Sequence, residues 1–184
     1  VSRRLPTRNE AISFLIKAGC SPRVVRHAEA VATLAVKIAK ACRKKGLEVD
    51  IQLVEIGALL HDIGRSKTHS VNHVIVGVEI ARALGLPDSV INIIERHAGS
   101  GISKDEAKKL GWPVKDHVPQ TLEEKIVTYA DKLIEGLKRV SIEQVLERFL
   151  RDNLPQSSIS RMKRLHEEFS PLLEDDSDGD DNAS

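Results

Sequence analysis

The chain has 184 residues, 41% of them apolar and 30% charged, with a formal net charge of +1. That length supports a single compact core burying roughly 70% of the unfolded surface. No apolar run approaches the ~20 residues that cross a bilayer, and Lys17 interrupts the short N-terminal apolar stretch, so neither a membrane span nor a signal peptide is expected. Two cysteines, Cys20 and Cys42, form neither a CxxC pair nor a disulfide framework, which points to a reducing, cytoplasmic setting. Six of the 27 carboxylates lie in the last eleven residues, which hold no base, so 28 basic residues leave the body at +7. Such a body suits an anionic substrate. Its charges are dispersed along amphipathic segments, so RNA is admitted as a partner but not favoured over a small nucleotide.

In chain order the periodicity is helical throughout. Residues 1–20 read as an N-terminal helix over 8–18, opened by the capping-box spacing of Thr7 and Glu10 and closed at Gly19. Ser21-Pro22 starts a longer helix to Lys45, in which Val24, Ala28, Val31, Ala35, Ile38 and Cys42 recur at i, i+3, i+4 and i+7. Further helices are expected over 51–63, 72–84, 88–97, 104–110, 122–135, 142–152 and 158–169. Ser103 with Glu106 and Thr121 with Glu124 repeat the capping-box spacing. No sustained alternation appears, so the fold class is all-α with no evident source of sheet. The organisation expected is a central domain over 21–140, a helical extension over 141–173 and a disordered acidic tail over 174–184.

Several ionisable residues fall on the faces these helices should bury. His27 shares a stripe with Val31, Leu34 and Ile38; His61 follows Leu53, Gly57 and Leu60; His73 aligns with Gly77 and Ile80; His97 with Val90, Ile93 and Ile94; Asp131 lies between Val127 and Ile134. A single such histidine is ordinarily a core residue bonded to a carbonyl. Five groups on five helices are explained together by convergence on a shared cation, because a buried polar group without a partner costs several kcal/mol. Asp62 directly follows His61, and at a helix terminus both can face one point. Imidazole and carboxylate without nearby thiolate favour Fe or Mn, with Zn, Ni, Co or Mg as alternatives.

In the order His27, His61-Asp62 (in LLHDIG) and Asp131 (in TYADKL), the chain resembles the HD-domain metal-dependent phosphohydrolases over residues 21–137. His73 and His97 extend the pattern to H…HD…H…H…D, which is similar to the dinuclear branch, including bacterial symmetrical diadenosine-tetraphosphate hydrolases. PQTLEEKIVTYADKL resembles archaeal HDIG-domain proteins. The resemblance implies an all-α HD bundle, with His27, His61, Asp62 and Asp131 on one divalent ion. His73 and His97 would hold a second, bridged by Asp62. It implies hydrolysis of a nucleotide or dinucleotide polyphosphate by a metal-bound hydroxide. A mononuclear 5′-nucleotidase, a cyclic-nucleotide or RNA phosphodiesterase and a non-catalytic nucleotide sensor are the alternatives. Arg65 and Lys67 are the expected phosphate contacts, and His69 is a candidate general acid. Arg96 and Lys132, each adjacent to a ligand, are candidates for secondary phosphate contacts but are read first as surface charges. The long 99–120 segment is a candidate lid in which Trp112 either stacks on a base or pins the segment to the body. His117 and His166 carry no assigned role, and the sequence leaves the oligomeric state open.

Overall fold

A computed structural model describes residues 4–174. The acidic tail beyond Glu174, expected to be disordered, lies outside the described residues. Helices dominate: α1 (Arg8–Ala18), α2 (Pro22–Lys44), α3 (Ile51–Leu60), α4 (His73–Ala83), α5 (Asp88–Arg96), α6 (Lys104–Leu110), α7 (Leu122–Lys132), α8 (Ile142–Arg151) and α9 (Gln156–Glu174). The starts follow from local chemistry. Thr7, Ser103, Thr121 and Ser141 each accept a bond from the third helical amide while a Glu or Gln at that position bonds back to the cap. The box at Ser141 with Gln144 was absent from the sequence reading.

Helix α2 is the axis of the molecule. Its 23 residues span ~35 Å at the standard helical rise. Ala28, Ala32, Ala35 and Ala39 are fully or almost fully buried, and these small side chains let α3, α7 and α9 approach closely. The C-terminal helices join the same core through Val145, Phe149, Met162, Phe169 and Leu173.

Three expectations need correction. The helix expected over 51–63 stops at Leu60, and His61-Asp62 form a turn leading into a short 3-10 segment, Ile63–Ser66. The helix expected over 122–135 stops at Lys132, and a small antiparallel hairpin follows: β1 (Ile134–Glu135) pairs with β2 (Lys138–Arg139) around Gly136-Leu137. Gly136 supplies a turn residue at φ +62. A two-residue strand is too short to show alternation, which is why the sequence hid it. The last helix runs from 156 to 174 rather than 158 to 169, with Pro171 inside it.

The turn after α3 is locked by close backbone approach. A Cβ on Gly64 would lie 1.8 Å from the His73 carbonyl oxygen and 2.7 Å from the Gly77 amide. A Cβ on Gly77 would lie 2.9 Å from Ile94. Only hydrogen fits at position 64, so the turn carrying His61-Asp62 sits directly against the start of α4.

The 99–120 segment is anchored at both faces. Ile102 and His117 exchange backbone bonds at 2.9 and 2.7 Å. Arg161 of α9 reaches the Gly101 carbonyl at 2.7 Å and the Glu106 carboxylate at 2.8 Å. Burial pushes the Glu106 carboxyl up. The Ser157 hydroxyl, the Ser103 amide and the Arg161 charge outweigh this and hold it below the ordinary value.

Two outcomes follow from these contacts. Gly64→Ala should destabilise the fold by about 3 kcal/mol in urea unfolding, because both colliding atoms are backbone. Glu106→Gln should lose about 1–2 kcal/mol at pH 7. Because the folded carboxyl titrates below its unfolded value of 4.5, its contribution is present above that pH and lost as pH falls through the folded pKa. The gap between Glu106→Gln and wild type in thermal melts should therefore close in acid.

Candidate metal centre

The breaks in the helices build the site. Because α3 ends at Leu60, His61 and Asp62 leave the chain in a turn and both point inward, with 0% and 4% exposure. Around them α2 contributes His27, α4 begins with His73, α5 ends against His97 and α7 supplies Asp131.

All four imidazoles are fixed in one way. Nδ1 of His61 donates to the Ala58 carbonyl at 2.6 Å, His73 to Ser70 at 2.8 Å, and His97 to Ile94 at 2.8 Å. In each case the acceptor lies three residues back. Nδ1 of His27 donates to the Gly136 carbonyl in the hairpin turn at 2.9 Å. A carbonyl can only accept, so Nδ1 carries a proton in every ring and Nε2 is the nitrogen turned to the interior.

Those nitrogens meet two carboxylates. Asp131 Oδ1 lies 3.1 Å from His27 Nε2 and 3.2 Å from His61 Nε2. Asp62 Oδ1 lies 3.1 Å from His73 Nε2 and 3.4 Å from His97 Nε2, while its Oδ2 is 3.6 Å from His61. His73 and His97 bring their Nε2 atoms within 3.2 Å of each other. The outer oxygens are held by cations: Arg65 Nε donates to Asp62 Oδ2 at 2.5 Å, and Lys132 Nζ donates to Asp131 Oδ2. Donor atoms of His27, His61 and Asp131 lie within 4.8 Å of one another, as do those of His61, Asp62 and His97.

These residues fit divalent metal. His61 Nε2 and Asp62 Oδ1 are buried without a hydrogen-bond partner, an expensive state that a cation removes. Electrostatics agree. Burial drives the His61 pKa down, but the charges of Asp62 and Asp131 outweigh it and raise the value, so the cluster attracts positive charge. Burial raises Asp62, yet the surrounding imidazoles, His61 foremost and then His73 and His97, hold it well below the carboxylate range. Asp131 is likewise raised by burial and lowered further by Lys132 and the histidines. His97 is pushed down to about 4, chiefly by burial and also by the His61 and His73 charges, so it is neutral and ready to ligate near pH 7.

A cleft of about 360 Å³ opens beside the cluster, lined by His27, Asp62, Arg65, His69, Arg23 and Gly136 among others. Arg65 and His69 therefore face it. Arg65 is committed to Asp62 and, at 3.3 Å, to the His69 carbonyl. Lys67 is exposed and does not line this cleft.

The residues read as surface charges are placed otherwise. Arg96 Nη1 donates to both carboxylate oxygens of buried Glu124, at 2.8 and 2.9 Å, joining α5 to α7. Lys132 is mostly buried against Asp131. Trp112 is 5% exposed, donates from Nε1 to Asn72 at 2.8 Å and packs edge-on against His117, so it pins the 99–120 segment rather than offering a face to a base. His117 is fully buried beside Glu95 and bonds to the Pro113 carbonyl, and His166 bonds to the Tyr129 hydroxyl. Arg23 and the Gly136 carbonyl were missed in the sequence reading. Arg23 could have been found one helical turn before His27. A backbone carbonyl leaves no such trace.

Residues 24–136 match the HD domain family. The chain is 50% identical over 167 residues to an uncharacterized protein of Methanocaldococcus jannaschii, a match covering 89% of this chain and 97% of that protein. It is 38% identical over 174 residues to the tRNA (cytidine(56)-2'-O)-methyltransferase of Picrophilus torridus, covering 95% of this chain and 49% of that protein, and so spans about half of that relative's length. Among solved structures, the L. monocytogenes phosphodiesterase PgpH HD domain in complex with cyclic-di-AMP superposes with a TM-score of 0.55 over 95% of this chain and 99% of that one. At 17% identity this is a likeness of fold.

Proposed function

The chain belongs to the HD-domain family, and from that premise we propose that it is a phosphohydrolase using two divalent ions to cleave a nucleotide or dinucleotide polyphosphate. The observation that carries this reading is the set of four imidazoles with Nε2 turned onto Asp62 and Asp131. His27, His61, Asp131 and one oxygen of Asp62 would hold one ion. His73, His97 and the other Asp62 oxygen would hold the second. The donor set, with imidazole and carboxylate and no thiolate, favours Fe or Mn and admits Zn, Ni, Co or Mg.

Two ions bound there supply Lewis acidity at a phosphoryl oxygen and lower the pKa of a water. The remaining work falls to the chain. Arg65 and Lys132 orient the two carboxylates by their outer oxygens and keep them ionised. The carbonyls of Ala58, Ser70, Ile94 and Gly136 prevent the imidazoles from rotating or changing tautomer. In this reading a phosphate in the cleft would lie beside Asp62 and His27, and His69, which lines the same cleft, would give a proton to the leaving oxygen.

A second reading, an RNA phosphodiesterase, draws on one observation: the chain matches about half of a tRNA (cytidine(56)-2'-O)-methyltransferase. The basic body would assist such a substrate through its phosphates.

Metal analysis of anaerobically purified protein, with a substrate panel on the same sample, tests both. Wild type should carry two ions per chain. His73→Ala should retain one, and Asp62→Ala should lose both, with turnover reduced by about three orders of magnitude. One ion in wild type, with His73→Ala unchanged, would defeat the dinuclear assignment. Preference for oligoribonucleotides over nucleotide polyphosphates would install the RNA reading in its place.

A further inference from the structure

We infer that Arg23, at the start of α2, grips the phosphate adjoining the scissile one and thereby selects polyphosphate substrates. This rests on the hydrolase reading above but concerns a residue outside the metal cluster.

The cleft is the premise. It is lined by Asp62 and His27 and also by Arg23, Arg65 and His69, so a molecule seated in it meets metal ligands and these bases together. The bases are not equivalent. Arg65 spends Nε on Asp62 and Nη1 on the His69 carbonyl, so its charge is largely answered within the protein. Lys67 lies outside the cleft lining. Arg23 is exposed, and among the described residues it has no ion pair or side-chain hydrogen bond. It is the cation of this cleft left for a ligand to neutralise.

Its position on the helix strengthens the case. Arg23 precedes His27 by four residues and shares its face. At the start of α2, Pro22 has no amide hydrogen and the Val24 amide is taken by the Ser21 hydroxyl. The Arg23 amide is thus a first-turn donor left without an intrahelical partner, at the positive end of a 23-residue helix. A guanidinium fork and a helix-start amide are both donors that an anion accepts from. The scissile phosphate belongs to the metal ligands, so the group at Arg23 is a second phosphate. The cleft volume of about 360 Å³ suits a single nucleotide unit.

The test uses the full chain loaded with metal. Arg23→Ala should lower the preference for ATP or diadenosine tetraphosphate over bis(p-nitrophenyl) phosphate, as a ratio of kcat/KM, by at least about tenfold, mainly through KM. Arg23→Lys should restore part of it. Calorimetry with inorganic pyrophosphate should show a similar loss of affinity in Arg23→Ala, with metal content and melting temperature equal to wild type. Unchanged preference and unchanged pyrophosphate affinity would overturn the assignment. So would a preference for oligoribonucleotides that survives Arg23→Ala. If wild type hydrolyses nothing while pyrophosphate binding still depends on Arg23, the hydrolase reading fails and the Arg23 site stands.

Discussion

The structure turns on a concentration of lone pairs that apolar surroundings cannot tolerate alone. Four imidazoles and two carboxylates face one another within about 3–4 Å in a largely buried cluster beside the cleft. Each ring is held in its tautomer by a carbonyl, so none can relieve the crowding by turning its proton inward without giving up that bond. His27, His61 and Asp131 form one group able to hold a cation, and His61, Asp62 and His97 form a second. The raised His61 and the depressed Asp62 and Asp131 express the same demand for positive charge.

Local devices around the cluster serve this demand. His61 and His97 stand at the C-terminal caps of α3 and α5 and use carbonyls of the last turn, groups that a helix end leaves without intrahelical partners. One bond therefore completes a helix terminus and orients a ligand. Gly64 admits the His73 carbonyl at a distance no side chain would permit, which couples the placement of Asp62 to that of His73. The hairpin after α7 performs the same service for His27 through Gly136. Helix ends and turns, rather than helix interiors, aim most of the donors.

Charge is arranged in two tiers outside the cluster. Arg65 and Lys132 face inward and hold the outer oxygens of the carboxylates, and Arg96 ties α5 to α7 through Glu124. Their long side chains bury aliphatic stems while the heads find partners. Among the described residues Arg23 stays unpaired at the cleft wall. The 99–120 segment is held by Trp112, Arg161 and the Ile102–His117 bridge, which makes it a fixed wall beside His73 and His97.

Much of this was legible in the sequence. Periodicity and caps located the helices because a helix writes its buried face into every third or fourth residue, and His27, His61, Asp62, His73, His97 and Asp131 stood out as ionisable groups on or beside those faces. The hairpin was invisible, since strands of two residues carry no period. The partners of Arg65 and Lys132 were equally beyond sequence, and the choice between the two readings of Trp112 also waited on packing, because spacing along a helix says which way a residue points but not what stands opposite. The chain determined by itself the helical class and the donors that had to meet. Only the tertiary structure decided which carbonyl locks each imidazole, which bases are consumed by Asp62 and Asp131, and which one is left facing the cleft. Those outcomes depend on distances between elements far apart in the chain, which packing sets and periodicity does not encode.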